Sequence, residues 1–185
     1  MKIDLEWLKI KKELLVREAE KLLSIQEKAG ETNHDYLVKS IVNEPSFIKG
    51  NLPFCFVQQC IKNTDDIYDL LVQDEKHRRC DIVFNPDVIT MWQKLSKRYK
   101  KIKPERGDIV IGHYNKQGGI ITNGFVGIVV GVDSALNIDI IEATVINNYE
   151  EESKALQFNG IKRRVRPLSG KGKCRILGVF TPWFF

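Results

Sequence analysis

The chain has 185 residues, of which 43% are hydrophobic and 29% charged, a balance typical of one globular domain or of a domain with a terminal extension. Its four cysteines and three histidines are scattered without paired spacing, which argues against a disulfide scaffold and a metal site, and no cofactor is expected. No apolar run approaches the roughly 20 residues of a membrane span, and the charged N-terminus does not resemble a signal peptide, so we expect synthesis in a cytoplasm.

The formal net charge is +5, and basic residues are concentrated in two segments, residues 94–106 and 162–173. Such segments attract anionic polymers or acidic protein surfaces, although a merely solvated basic face would have the same composition. Aromatic residues are not interleaved among the basic ones as they are in RNA-binding modules, so nucleic acid is not an expected partner.

Residues 3–28 predict one amphipathic helix, because leucine, alanine and isoleucine recur at steps of three, four and seven between lysine and glutamate residues. We therefore predict an N-terminal extension or docking helix at residues 1–29 and a domain at residues 30–185. The apolar surface of this helix is wide enough to pack on its own domain or on a partner. A homo- or hetero-oligomer through residues 3–28 therefore stays open.

Further helices are predicted before residue 100 and strands after it. The helical segments are 34–43, 54–62, 67–73 and 86–99, with breaks at 50–53 and 63–66. The strand-like segments are 108–112, 125–132, 138–143, 161–167 and 174–180. N-terminal helices followed by an antiparallel β-sheet make an α+β fold.

Cys55 follows Pro53 at the predicted start of a helix, in the segment Leu-Pro-Phe-Cys-Phe-Val. Unpaired backbone N–H groups and the helix dipole stabilise a thiolate at such a position, which makes this cysteine a candidate nucleophile. A buried, unreactive cysteine between two phenylalanines would have the same local pattern. The presence or absence of a base separates the two interpretations.

The motifs that follow Cys55 come in a distinctive order. Ile-Thr-Met-Trp (89–92) precedes Lys-Pro-Glu-Arg-Gly-Asp-Ile-Val (103–110), Val-Gly-Ile-Val-Val-Gly-Val-Asp (126–133), Ile-Glu (141–142), Val-Arg-Pro-Leu (165–168) and Ile-Leu-Gly-Val-Phe (176–180). This order resembles the CHAP family of cysteine amidases and peptidases, within the wider papain-like NlpC-type group, from about residue 30 to residue 180. The resemblance implies a papain-like fold of the kind that phage endolysins and virion-associated wall hydrolases commonly carry.

By this resemblance Cys55 occupies the nucleophile position, while the family's histidine position, directly before Val-Gly-Ile-Val, is Phe125. The third position, often asparagine in the family, falls near Thr144. Without an imidazole, acylation loses general acid–base help worth roughly 100- to 10,000-fold. The resemblance therefore implies a domain that has lost two of its three catalytic groups.

A displaced histidine could replace the missing one. If the hairpin between residues 108–114 and 124–130 is symmetric about Gly119, His113 lies directly opposite Phe125, on the same face, and could reach Cys55. A register shift of one residue would turn His113 away from that position.

Two more residues are candidates for the cleft. His34 lies upstream of the cysteine and could face the cleft, or could cap a helix instead. Glu142 could point into the cleft or pair with a nearby arginine.

Two functions follow from these patterns. The first is a catalytically degenerate peptidoglycan-hydrolase-like domain that acts as a binding or structural component. It would belong to a phage virion, in a tail or portal-proximal assembly, with peptidoglycan or other virion proteins as partners. The alternative is an active cysteine N-acetylmuramoyl-L-alanine amidase or endopeptidase that cleaves peptidoglycan with Cys55 and His113. A basic nucleic-acid-associated protein is a third reading that rests on charge alone.

Overall fold

The computed structural model describes residues 5–23, 52–72, 79–85, 87–114, 124–144, 160–168 and 174–183. Its elements are α1 (Glu6–Lys21), α2 (Leu52–Val72), α3 (Val88–Lys94), β1 (Lys100–Lys101), β2 (Ile109–Tyr114), β3 (Gly124–Val132), β4 (Asn137–Thr144), β5 (Gly160–Pro167) and β6 (Cys174–Phe180). The helices precede an antiparallel sheet, which confirms the predicted α+β class. None of these three helices is long and apolar enough to cross a membrane. The helix predicted at 34–43 lies outside the described residues.

α2 is one continuous helix, whereas the sequence predicts a start at residue 54 and a break at residues 63–66. The predicted break is wrong because its polar side chains bind elsewhere instead of capping a new helix. Thr64 donates its hydroxyl to the carbonyl of Cys60 at 2.7 Å, and Asp65 pairs with Lys11 of α1. Pro53 fits the first turn of the helix, where its missing N–H would have no intrahelical acceptor.

α1 and α3 are shorter than predicted. α1 ends at Lys21 and residues 22–23 form a turn, whereas the sequence predicts a continuous helix to residue 28; residues 24–28 lie outside the described residues. α3 begins after Asp87, whose carboxylate accepts from the backbone N–H of Thr90 at 2.6 Å. It ends where Leu95 adopts an extended backbone, and β1 occupies part of the range predicted as helix.

The six strands form one antiparallel sheet in the order β1-β6-β2-β3-β4-β5. Five of them coincide with the predicted strand segments within two residues at each end, and β1 is an addition of two residues at the edge. The pairing is irregular between Ile111 and Gly112 against β6, and between Val129 and Gly131 against β4. Such bulges re-aim side chains locally.

The two faces of the sheet belong to different hydrophobic clusters, because successive residues of a strand point to opposite faces. On β3, Val126, Ile128 and Val130 pack with residues of all three helices, and we call this side the helix face. Phe125 and Val129 lie on the other side, which we call the far face. The buried residues of the far-face cluster all come from strands: Val110, Phe125, Val129, Ile138, Ile140, Cys174 and Val179.

Two buried lysines fix α1 to the rest of the domain. The Nζ atom of Lys11, which is 0% exposed, lies 2.7 Å from Oδ1 of Asp65 in α2. The indole N–H of Trp183 donates to the same oxygen at 2.8 Å, so the C-terminal end of the described chain meets both helices here. The Nζ atom of Lys12 lies 2.8 Å from Oδ1 of Asp108, at the start of β2.

The turn before β2 lies directly against α1. Gly107 has φ +80°, and a Cβ atom there would stand 2.5 Å from Cβ of Lys12, so only glycine fits the turn and the contact. α1 also contributes Leu15, Val16 and Ala19 to the helix-face cluster. The helix therefore shares the core of the sheet; the domain boundary predicted between residues 29 and 30 lies outside the described residues.

Candidate functional site

Cys55 lies in the first turn of α2 and is 1% exposed. All residues from Leu52 to Val57 are buried, and the ring of Phe54 meets that of Phe84 edge-on with centroids 6.1 Å apart. The unpaired N–H groups of a helix start favour a thiolate, as a nucleophile requires. The surrounding core, however, closes the sulfur off from a polymeric substrate.

Two further cysteines, Cys60 in α2 and Cys80 after it, have thiols that are unsuited to nucleophilic chemistry. Burial, and next the charge of Glu18, raise the pKa of the Cys60 thiol well above its ordinary value. Burial also raises the pKa of Cys80 to about 12. Both thiols are therefore protonated near neutral pH.

Phe125, where the resemblance implies a histidine, points away from Cys55. It is 2% exposed and packs in the far-face cluster, whereas its neighbour Val126 is 0% exposed and packs with Cys55 on the helix face. The sheet therefore separates the side chain at position 125 from the cysteine. This departs from the arrangement that the resemblance implies, in which this position serves the nucleophile.

The β2–β3 hairpin is shifted by one residue from the symmetric register. His113 pairs with Gly124, and Gly112 pairs with Phe125. The prediction that His113 lies opposite Phe125 is therefore wrong. A long glycine-containing loop fixes register weakly, so the packing of the strands decides it.

The shifted register places His113 on the helix face. A Cβ atom on Gly124 would stand 2.0 Å from the side chain of Val88 in α3, so that position faces the helices, and directly paired residues share a face. His113 thus lies on the same side of the sheet as Cys55. Its ring is 5% exposed, and Nδ1 lies 3.5 Å from the carbonyl oxygen of Tyr114.

Glu142 lies on the far face, buried beside Arg166 of β5. The two side chains form a bidentate pair, with Nη2 to Oε1 at 2.5 Å and Nε to Oε2 at 3.1 Å. Nη2 of Arg166 also donates to the hydroxyl of Tyr114 at 2.8 Å, and its guanidinium lies 4.3 Å from the centroid of the Phe125 ring. The Phe125 ring thus packs against both Tyr114 and Arg166, and the Arg166 guanidinium lies 5.3 Å from the centroid of the Tyr114 ring.

This pairing sets the electrostatics of the far face. Burial alone would lower the pKa of the Arg166 guanidinium, but the Glu142 carboxylate outweighs burial and the pKa lies above its ordinary value. Nε of Arg164 stands 3.2 Å from Oε1 of the same carboxylate. Glu142 is therefore a counter-ion for arginines of β5, on the side of the sheet away from Cys55.

The two remaining predicted site residues are Thr144 and His34. Thr144 is the last residue of β4 and pairs with Gly160 of β5. His34 lies outside the described residues. In the described ranges, no three His, Cys, Asp or Glu side chains are grouped so that they could hold a metal ion.

Sequence reasoning offered an arginine partner for Glu142 without identifying Arg166, and it missed Tyr114, which accepts a hydrogen bond from Arg166. A signal was present, because Lys162, Arg164 and Arg166 alternate along β5 and an alternating strand pattern puts all three on one face. That pattern does not tell which carboxylate they meet. The contact between Tyr114 of β2 and Arg166 of β5 spans two intervening strands, so it depends on the order of the strands in the sheet and not on the local sequence.

Comparisons of the chain with protein-family models, with curated proteins and with solved structures found no match. The chemistry must therefore be argued from the residues themselves. The described residues put a thiol at a helix start, a buried histidine on the same side of the sheet, and a phenylalanine on the other side at position 125.

Proposed function

We propose that this chain is a catalytically degenerate peptidoglycan-hydrolase-like domain that acts as a binding or structural component, of the kind that a phage virion carries in a tail or portal-proximal assembly. The observation that supports the loss of catalysis most strongly is the burial of Cys55, which is 1% exposed in the helix-face cluster. The position at which the resemblance implies a histidine holds Phe125, whose ring packs on Arg166 and Tyr114 on the far face and offers the thiol no base.

The chemical reason is the missing proton transfer. A thiol attacks an amide carbonyl as the thiolate, and the leaving amine must receive a proton. Phe125 can do neither. The 1% exposure of Cys55 adds a second obstacle, because a peptidoglycan stem would have to displace core residues to reach the sulfur.

The α+β order of the fold supports the proposal, whereas the far-face position of Phe125 departs from the papain-like arrangement that the resemblance implies. A cysteine in the first turn of a helix precedes an antiparallel sheet, and the Pro-Glu-Arg-Gly-Asp segment forms the turn that leads into β2. Such a scaffold, without its base, retains surfaces that can bind wall material or neighbouring proteins. The virion assignment rests on analogy with the family that the motifs resemble.

Lysis of purified cell walls by the intact chain tests the proposal. We expect no fall in the turbidity of a wall suspension with the wild-type chain, and no difference between wild type and Cys55→Ser. Clearing that disappears in Cys55→Ser would contradict the proposal. A matched Cys60→Ser variant, altered in a thiol of the same helix, controls for damage to the fold.

The second candidate function is the active cysteine amidase or endopeptidase, and one observation favours it. His113 lies on the same face of the sheet as Cys55, so a rearrangement of the core around α2 would bring thiol and imidazole together without crossing the sheet. In that case wall clearing would be lost both in Cys55→Ser and in His113→Gln. Clearing that survives His113→Gln would exclude this histidine as the base.

A further inference from the structure

The segment of residues 94–103 carries six positively charged side chains and no acidic one. It runs from the last turn of α3 through β1, the edge strand of the described sheet. We call it the lysine segment. Its backbone is anchored, because Leu95 and Tyr99 are buried in the core and the Tyr99 carbonyl accepts from the N–H of Thr181 at 3.0 Å.

Among the described residues, nearby carboxylates neutralise two of these six charges. Arg98 lies 3.4 Å from Asp81, and Lys101 lies 3.0 Å from Asp108. Lys101 also pairs with Glu105, which is shared with Lys12. The local acids are therefore already engaged.

The other four charges are lysines without a carboxylate partner among the described residues. Lys94, Lys97 and Lys103 are exposed, and Lys100 lies with Nζ 4.3 Å from the centroid of the Trp92 ring. Ile102, between two of the lysines, is 98% exposed. The positive charge of the lysine segment, held on an anchored backbone, favours a polyanion as its ligand.

The chemistry of the lysine segment narrows the class of polyanion that it would bind. Lysine ammonium groups act as point charges and do not impose the planar geometry of an arginine fork, which suits phosphates in varied orientations. Tyr99, the one aromatic residue of the segment, is buried, and the nearby Trp92 of α3 is covered by Lys100 and packs on Gly178, so neither ring is available for stacking bases. A DNA duplex, with a persistence length of about 50 nm, would stay straight here, whereas a flexible chain can follow a loop and an edge strand.

We propose that the lysine segment binds a flexible phosphodiester polymer without bases, of the poly(glycerol phosphate) type found in bacterial walls. The choice of a wall polymer rests on the proposed wall-related function. The positive charge of the lysine segment is independent of that function. Each lysine contacts the polymer through its ammonium group, and bound counter-ions are released when the polymer binds.

The test uses the full chain and labelled poly(glycerol phosphate), with anisotropy measured across a series of salt concentrations. The variant Lys94→Gln/Lys97→Gln/Lys103→Gln removes three exposed charges from the segment. Its matched control, Lys9→Gln/Arg17→Gln/Arg175→Gln, removes three exposed charges elsewhere. We expect binding that weakens as salt rises, and a slope of log affinity against log salt that is flatter by about two in the segment variant alone.

Three results would overturn the proposal: no binding by the wild-type chain, equal weakening by the two variants, or tighter binding to duplex DNA than to poly(glycerol phosphate). A Lys→Arg triple at the same positions should retain binding, and loss of binding there would also contradict a charge-based site. Wall lysis by the chain would refute the proposed loss of catalysis without affecting this result, so the two proposals fail separately.

Discussion

Gly112 lies directly opposite Phe125 in the β2–β3 hairpin, and a methyl group on Gly112 would stand 2.4 Å from Cζ of the Phe125 ring. The ring therefore lies over the glycine on the far face, where it packs against Tyr114 and Arg166. This relationship shows why position 125 has no route to Cys55. The ring packs on the far face of the sheet, whereas α2 packs on the helix face.

Placing a histidine at position 125 should therefore not produce catalysis. In Phe125→His the imidazole would replace a ring packed on Arg166, with the sheet between it and Cys55. We expect no wall clearing by a variant that is shown to be folded by near-UV circular dichroism. Clearing that requires Cys55 would show that position 125 reaches the helix face.

Replacing Gly112 with alanine should destabilise the fold. The added methyl would overlap the Phe125 ring, and overpacking of this kind typically costs about 1–3 kcal/mol in the free energy of unfolding. Gly131→Ala is the matched control, because a Cβ atom there meets nothing within 4 Å. Urea denaturation of both variants checks the prediction, and equal stabilities would contradict the described hairpin register.

Removing the Lys11 charge should be far more costly than removing an exposed charge of the same helix. Lys11→Met leaves the carboxylate of Asp65 buried with Trp183 as a neutral donor, and breaking a buried pair costs about 3–5 kcal/mol. Lys9→Met, at an exposed position of α1, should change the free energy of unfolding by about 0.5 kcal/mol or less. A small effect of Lys11→Met would mean that α1 does not share the domain core.

Acid should weaken the contact between α1 and the turn before β2. Hydrogen bonds from Lys101, and next from Lys12, lower the pKa of Glu105 from 4.5 to about 2. A carboxylate with a lowered pKa stabilises the folded state fully above pH 4.5, and this contribution disappears as the pH falls towards about 2.

In Glu105→Gln, this part of the acid sensitivity should be absent. We expect the free energy of unfolding to fall less steeply between pH 4.5 and about 2 in the variant than in the wild type. Chemical denaturation across that range measures both slopes. Parallel curves would refute the assigned role of Glu105.

The order of elements was predictable because it depends on local patterns. Alternating and β-branched segments fix where β2 to β6 lie, and those bounds agree closely with the structure. The break predicted in α2 failed because Asp65 has its partners far away, with Trp183 118 residues along the chain. No local pattern reports such a contact.

The site was harder to predict than the fold. Alternation shows that Phe125 and Val126 face opposite sides, but not which side the helices cover. The position of His113 depends on a register that differs by one residue from the symmetric hairpin. The side of the sheet that the helices cover and the register of the hairpin therefore decide which side chains share a face with Cys55.

The central claim is that the chain no longer cleaves peptidoglycan amides, and the most direct test counts the bonds broken. Free amino groups released from purified peptidoglycan should be measured over long incubations with wild type and with Cys55→Ser, beside an active wall hydrolase as a positive control. The account predicts the same background release for both proteins. Release by the wild type that exceeds this background and is lost in Cys55→Ser would contradict it.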